Sequence, residues 1–181
     1  MHRSKIHVLG MLTFDAGVGV GFGSVRLWLG SCRVGGSEVN AIAVPSRLMP
    51  LYRKNWRVSQ ALKSRSTFPL LVASVQIGRT IFTKVNSSKT SPTQKFYSKG
   101  LKECQHAEVA LLTRFVGEDL HGPLLVTKWG RSAKKFTMSR PCRSCTWFLQ
   151  THFPHLEVVY IDRAGDLAWL DLGVPELELC S

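Results

Sequence analysis

Two short clusters hold the residues whose types and spacing can do chemistry: His106-Ala107-Glu108 and Pro141-Cys142-Arg143-Ser144-Cys145. Between them they offer one imidazole, two thiols and one carboxylate. An imidazole with two thiolates is the donor set of a zinc ion that keeps its fourth position open for water. Cys142 and Cys145 are an i, i+3 pair, so on a helix they share a face and can hold one ion. Pro141 suits the first helical position, with Ser139 or Arg140 closing the turn before it. The positive end of that helix favours a thiolate at Cys142. His106 and Glu108 are two residues apart and would diverge in mid-helix. They serve one site only at a helix start, from which Val109, Leu111, Leu112 and Phe115 run on as a buried helix.

H-x-E followed by P-C-x-x-C is the signature of zinc-dependent nucleobase deaminases. Over roughly residues 50–172 the chain resembles the cytidine deaminase-like superfamily. That resemblance implies an α/β fold, a three-layer α-β-α sandwich with a mixed five-stranded sheet. It also implies zinc held by His106, Cys142 and Cys145, with Glu108 as the catalytic proton carrier. The backbone N–H of Ala107 would donate to the ring carbonyl of the base, and the carbonyl of Arg140 would accept from its exocyclic amine. Asn86 would hold sugar hydroxyls; read by itself it is a turn asparagine at the end of a strand. The non-catalytic alternative is a closed zinc knuckle, for which Cys104 is the nearby spare thiol.

The elements that must position these residues are legible in part. Residues 51–66 mix Leu51, Trp56, Ala61 and Leu62 with five cations, a basic amphipathic helix. Leu70 to Ile77 and Thr80 to Val85 are β-rich runs joined by Gly78-Arg79, hence a hairpin. Residues 87–103 read as a long polar loop carrying Lys89, Lys95 and Lys99 with Phe96 and Tyr97. That mixture suits phosphates and base stacking, or the aromatics pin the loop to the core. Leu124 to Trp129 is a strand, and Arg131, Lys134 and Lys135 lie in the basic loop after it. The cysteine helix runs from Pro141 to about His152 and buries Phe148 and Leu149. His152 and His155 flank Pro154 at its end and read as surface histidines. Leu156 to Ile161 and Leu167 to Leu172 are too close for a crossover helix, so they pair antiparallel. Within the resembling superfamily that ending belongs to the cytidine deaminases and the toxin-type enzymes. His106, where cytidine deaminases usually carry Cys, leans toward the toxin-like and phage-like members.

At 181 residues the chain is long enough for a single packed core, expected over 49–181 behind an N-terminal extension, residues 1–48. The glycines from Gly17 to Gly21 lack the strand and helix of a dinucleotide fingerprint. No run of eighteen apolar residues exists to span a membrane. Cys32, Cys104 and Cys180 show no disulfide framework, which suits a reducing, cytoplasmic setting. The formal charge is +12, and it is polarised. Residues 49–102 hold eleven Lys or Arg and no acid, whereas 157–178 hold six acids and one Arg. This favours an anionic partner, and with the motif it suggests cytosine in single-stranded nucleic acid. Two further readings stand beside it: a deaminase of free cytidine or (d)CMP, and a zinc-stabilised nucleic-acid-binding module without catalysis. Adenine is a possible base as well, because the same site can attack C6 of a purine.

Overall fold

The computed structural model describes residues 27–28, 43–64, 66, 69–102 and 104–173. Most of the N-terminal extension, with its glycine run and Cys32, lies outside the described residues, as does Cys180. In chain order the elements are β1 (Leu27–Trp28), β2 (Val44–Pro45), α1 (Met49–Leu62), β3 (Leu70–Ile77), β4 (Thr80–Val85) and α2 (Pro92–Tyr97). Then follow α3 (Ala107–Leu112) with a 3-10 turn (Thr113–Phe115), β5 (Gly122–Gly130), β6 (Lys135–Thr137), α4 (Arg143–His152), β7 (Leu156–Ile161) and β8 (Leu167–Leu170).

The main sheet runs β4-β3-β5-β7-β8, with β6 folded back onto the end of β5. Only β5 and β7 are parallel; β3–β4, β3–β5 and β7–β8 are antiparallel. The β7–β8 hairpin is the ending expected from its short connection. Two features depart from the sequence reading. The supposed loop 87–103 contains α2, whose Ser91 side chain caps the helix by accepting from the Gln94 N–H at 3.1 Å. The basic loop after β5 closes as a hairpin with β6, which adds a sixth strand.

Strand side chains alternate between two cores, as a period of two requires. Ala73, Val75, Leu124, Val126, Leu156 and Val158 pack with α3, α4 and Tyr97 of α2 on one face. Leu70, Val72, Leu125, Val159 and Ile161 face α1 on the other. This is the expected three-layer α-β-α arrangement. Ahead of α1, Val44 and Leu48 are buried with Leu51, Leu125 and Val159, so the packed unit reaches back to Val44. Asn55 of α1 is also buried, donating to the Leu125 carbonyl at 3.2 Å and accepting from Ser74 Oγ at 2.5 Å.

Candidate metal centre

The polypeptide enters α3 and α4 in the same way. His106 is the N-cap of α3 (φ −75°, ψ 155°) and Cys142 is the N-cap of α4 (φ −73°, ψ 165°). Both candidate ligands therefore stand at the positive ends of helices, where a thiolate and a neutral imidazole are favoured. Cys145 is the third helical residue of α4, and N-cap and third-residue side chains come close together at any helix start. The position of Pro141 corrects the sequence reading: it is not the first helical residue but precedes the N-cap, and it is buried. Its ring holds Arg140 out of the helical region, so α4 cannot begin earlier.

Ser139 fixes the approach to α4 in another way than a cap. It is 3% exposed; its N–H donates to the Ile161 carbonyl at 2.8 Å and its hydroxyl to the Val126 carbonyl at 2.8 Å. The hydroxyl also accepts from the Ile161 N–H at 2.9 Å. One residue thus ties the cysteine segment to both parallel strands, at the middle of β5 and the end of β7.

His106 Nδ1 lies 3.5 Å from Cys142 Sγ and 3.4 Å from Cys145 Sγ, and the three ligand atoms all fall within 4.8 Å of one another. Two ligands of a tetrahedral zinc, with Zn–S about 2.3 Å and Zn–N about 2.0–2.1 Å, sit about 3.6 Å apart. The residues fit that ion in donor type and in spacing. Cys104 is not part of the cluster, and among the described residues no fourth His, Cys, Asp or Glu joins it. A closed four-ligand knuckle is therefore not what the described residues build.

The electrostatics suit the same purpose. The Cys145 thiol and the His106 ring, both hydrogen-bonding to Cys142, bring the Cys142 thiol down to about 3. Cys145, the donor in that pair and buried, is pushed up well above the usual thiol value. The Cys142 thiolate raises His106, against the opposing effect of burial. Lys102 lies within electrostatic reach of both His106 and Cys145.

Glu108 is fully buried, and neither carboxylate oxygen meets a hydrogen-bond partner in proper geometry. Burial pushes its carboxyl up to about 7, while its own backbone N–H and the His106 ring pull the other way. A buried carboxyl without partners is costly unless something else occupies the site. Gln94 of α2 is also fully buried. Its Oε1 accepts from the His106 backbone N–H at 3.1 Å, and its Nε2 has no partner. Sequence reasoning passed over Gln94 and Lys102 and read Ser139 only as a turn residue; for Gln94 the Ser91-Pro92 cap and first-turn pair was the signal that a helix, and so a buried face, lay there.

The remaining expected residues fall as follows. Ala107 is buried at the first position of α3, where its N–H has no intrahelical partner. Arg140 is exposed ahead of Pro141. Asn86 is joined to the site through the adjacent Ser87, which pairs with Gln105. Its amide, however, accepts from the Leu71 N–H at 2.9 Å and donates to the Pro69 carbonyl at 2.9 Å, which ties β4 to the start of β3. Lys89, Lys95 and Lys99 are exposed between β4 and α3; Arg131, Lys134 and Lys135 are exposed at the β5–β6 turn. His155 is exposed and stacks on His121, whereas His152 is half-buried, with Nε2 2.6 Å from the Tyr97 hydroxyl.

No helix of the described residues is long and apolar enough to cross a membrane. No protein-family model matches the chain, and no curated protein matches it. Among solved structures it is similar to a cytidine deaminase from Burkholderia pseudomallei, at 20% identity over 67% of this chain and 93% of that one, with a TM-score of 0.43.

Proposed function

We propose that the chain is a zinc-dependent hydrolytic deaminase that converts cytosine to uracil, acting on single-stranded nucleic acid. The observation that carries the reading is Glu108: a buried carboxyl without a hydrogen-bond partner, beside three candidate metal ligands that no fourth His, Cys, Asp or Glu joins among the described residues. A structural zinc site has no use for such a group. When bound, zinc lowers the pKa of water toward about 7 and so supplies hydroxide near neutral pH.

The residues of the chain do the rest. Glu108, poised near neutrality by burial, takes a proton from the attacking water and passes it to the ring nitrogen. It then carries the second proton to the departing amine. A C4–O bond forms, the C4–N bond breaks, and ammonia leaves. The Ala107 N–H and the Arg140 carbonyl orient the base through its ring carbonyl and exocyclic amine. The second amide hydrogen of Asn86 is the group left for a sugar hydroxyl. Lys89, Lys95, Lys99, Arg131, Lys134 and Lys135 offer phosphate contacts, which suits a polymer better than a single 5′-phosphate. The antiparallel β7–β8 ending, which within the resembling superfamily goes with the cytidine deaminases, favours a second reading, a deaminase of free cytidine.

One assay panel separates these: cytidine, dCMP, and single-stranded DNA and RNA containing C or A, read as uracil or inosine. Turnover confined to polymers is expected, and Glu108→Ala should keep one zinc per chain yet lose turnover. Product from monomers alone would shift the reading to the second. A Glu108→Ala variant as fast as the parent would remove Glu108 from the chemistry.

A further inference from the structure

Phe96 and Trp147 are 68% and 39% exposed, and they stack on each other with ring centroids 6.2 Å apart and planes 25° from parallel. Two large aromatic rings exposed side by side form a contiguous apolar surface, the kind of feature that binding sites use. The pair is firmly seated. Tyr97, buried beneath, packs edge-on against each ring at 5.1 Å and against Phe148 of the core at 5.3 Å. Its hydroxyl is held by His152 at 2.6 Å. A ledge fixed in this way loses little conformational freedom when something lies on it.

It shares its helices with the metal centre. Phe96 stands two residues after Gln94, which holds the His106 backbone. Trp147 stands two residues after Cys145, about 3 Å further along the α4 axis and about 200° around it, so it projects from the outer side of the helix whose inner side holds Cys145. The two helices that carry the ledge are thus those that position the ligands.

Its charge says what lies on it. Lys95 and Lys99 are exposed on either side of Phe96, and Lys99 N–H donates to the Phe96 carbonyl at 3.1 Å. No Asp or Glu occurs between Met49 and Lys102. Flat rings flanked by lysines, in an acid-free stretch, match bases joined by phosphates.

We propose that Phe96 and Trp147 form a platform on which a base of the bound strand stacks outside the metal centre, with Lys95 and Lys99 taking the adjoining phosphates. This rests on the nucleic-acid reading of the site. The test is fluorescence anisotropy of a labelled oligothymidylate with the zinc-loaded full chain. Thymine has no exocyclic amine, so binding is read without turnover. Phe96→Ala, Phe96→Leu and Trp147→Ala should each weaken binding about tenfold, with an unchanged salt slope. Lys99→Gln should instead lower that slope by about 0.7. Zinc content and melting temperature confirm that each variant is folded. If the parent binds with a steep salt dependence and all three aromatic variants bind as tightly, the platform is wrong and the nucleic-acid reading survives. If Phe96→Leu alone keeps full affinity, stacking on that ring is overturned. A parent that deaminates cytidine but binds no oligothymidylate at low salt overturns both.

Discussion

The backbone N–H of His106 donates to the Oε1 of Gln94 at 3.1 Å, so a buried side chain of α2 holds the residue that supplies the imidazole. Because a backbone N–H can only donate, the amide orientation is fixed, and Nε2 faces the other way without a partner. Gln94→Met keeps the volume and removes the acceptor. Loss of such an outer contact typically weakens metal affinity by about 10–100-fold. Chelator competition should show a fall in that range. A Met variant that holds zinc as tightly as the parent would mean that α2 does not position His106.

Zinc uptake should release protons. Ligands must be deprotonated to bind, and Cys142 already is, at about 3. Cys145, pushed up by its hydrogen bond to Cys142 and by burial, is not. At least one proton per ion therefore leaves at neutral pH, and affinity falls about tenfold per pH unit per proton as pH is lowered. Calorimetry in two buffers of different ionisation enthalpy counts the protons. A count of zero would remove Cys145 from the ligand set.

Glu108 gives a prediction about stability that is independent of turnover. Its folded value, about 7, lies above its ordinary 4.5, so the metal-free folded chain holds that proton more tightly than the unfolded chain. The contribution is fully present below about 4.5 and is lost as pH rises through about 7, roughly 3 kcal/mol in all. Glu108→Gln lacks this dependence. With chelator present, the variant should gain on the parent by about that amount between pH 4.5 and 8, measured by denaturant unfolding. Parallel stability curves would show that the carboxyl is not desolvated.

The His-Cys-Cys cluster was legible because its parts are local: two clusters at helix starts, each readable from a few residues. The hairpins and the alternating strands were legible for the same reason, from period and turn residues. What escaped depends on contacts distant in sequence. Gln94 looks like any polar residue in a loop until α2 packs against α4. Ser139 looks like a turn serine until β5 and β7 lie side by side to receive it. The aromatic ledge joins Phe96 to Trp147, which no window of sequence brings together. The sixth strand escaped because β6 is only three residues, too short for any alternation to show.

Backbone handedness was invisible as well, and it leads to the last prediction. Among the described residues the non-glycine positions with positive φ are Lys99, at 51°, and Lys134, at 49°. Both are residues expected to face phosphate. Glycine adopts this conformation without the steric penalty that a Cβ brings, a difference of about 1 kcal/mol. Lys99 sits where α2 turns out, and Lys134 where β5 turns into β6, positions at which glycine would serve the fold better. Lys99→Gly and Lys134→Gly should therefore each raise stability by up to about 1 kcal/mol while lowering the salt dependence of oligonucleotide binding. The paired measurement is what tests the idea. If stability rises and binding is unaltered, these lysines hold strained positions for a reason other than nucleic acid.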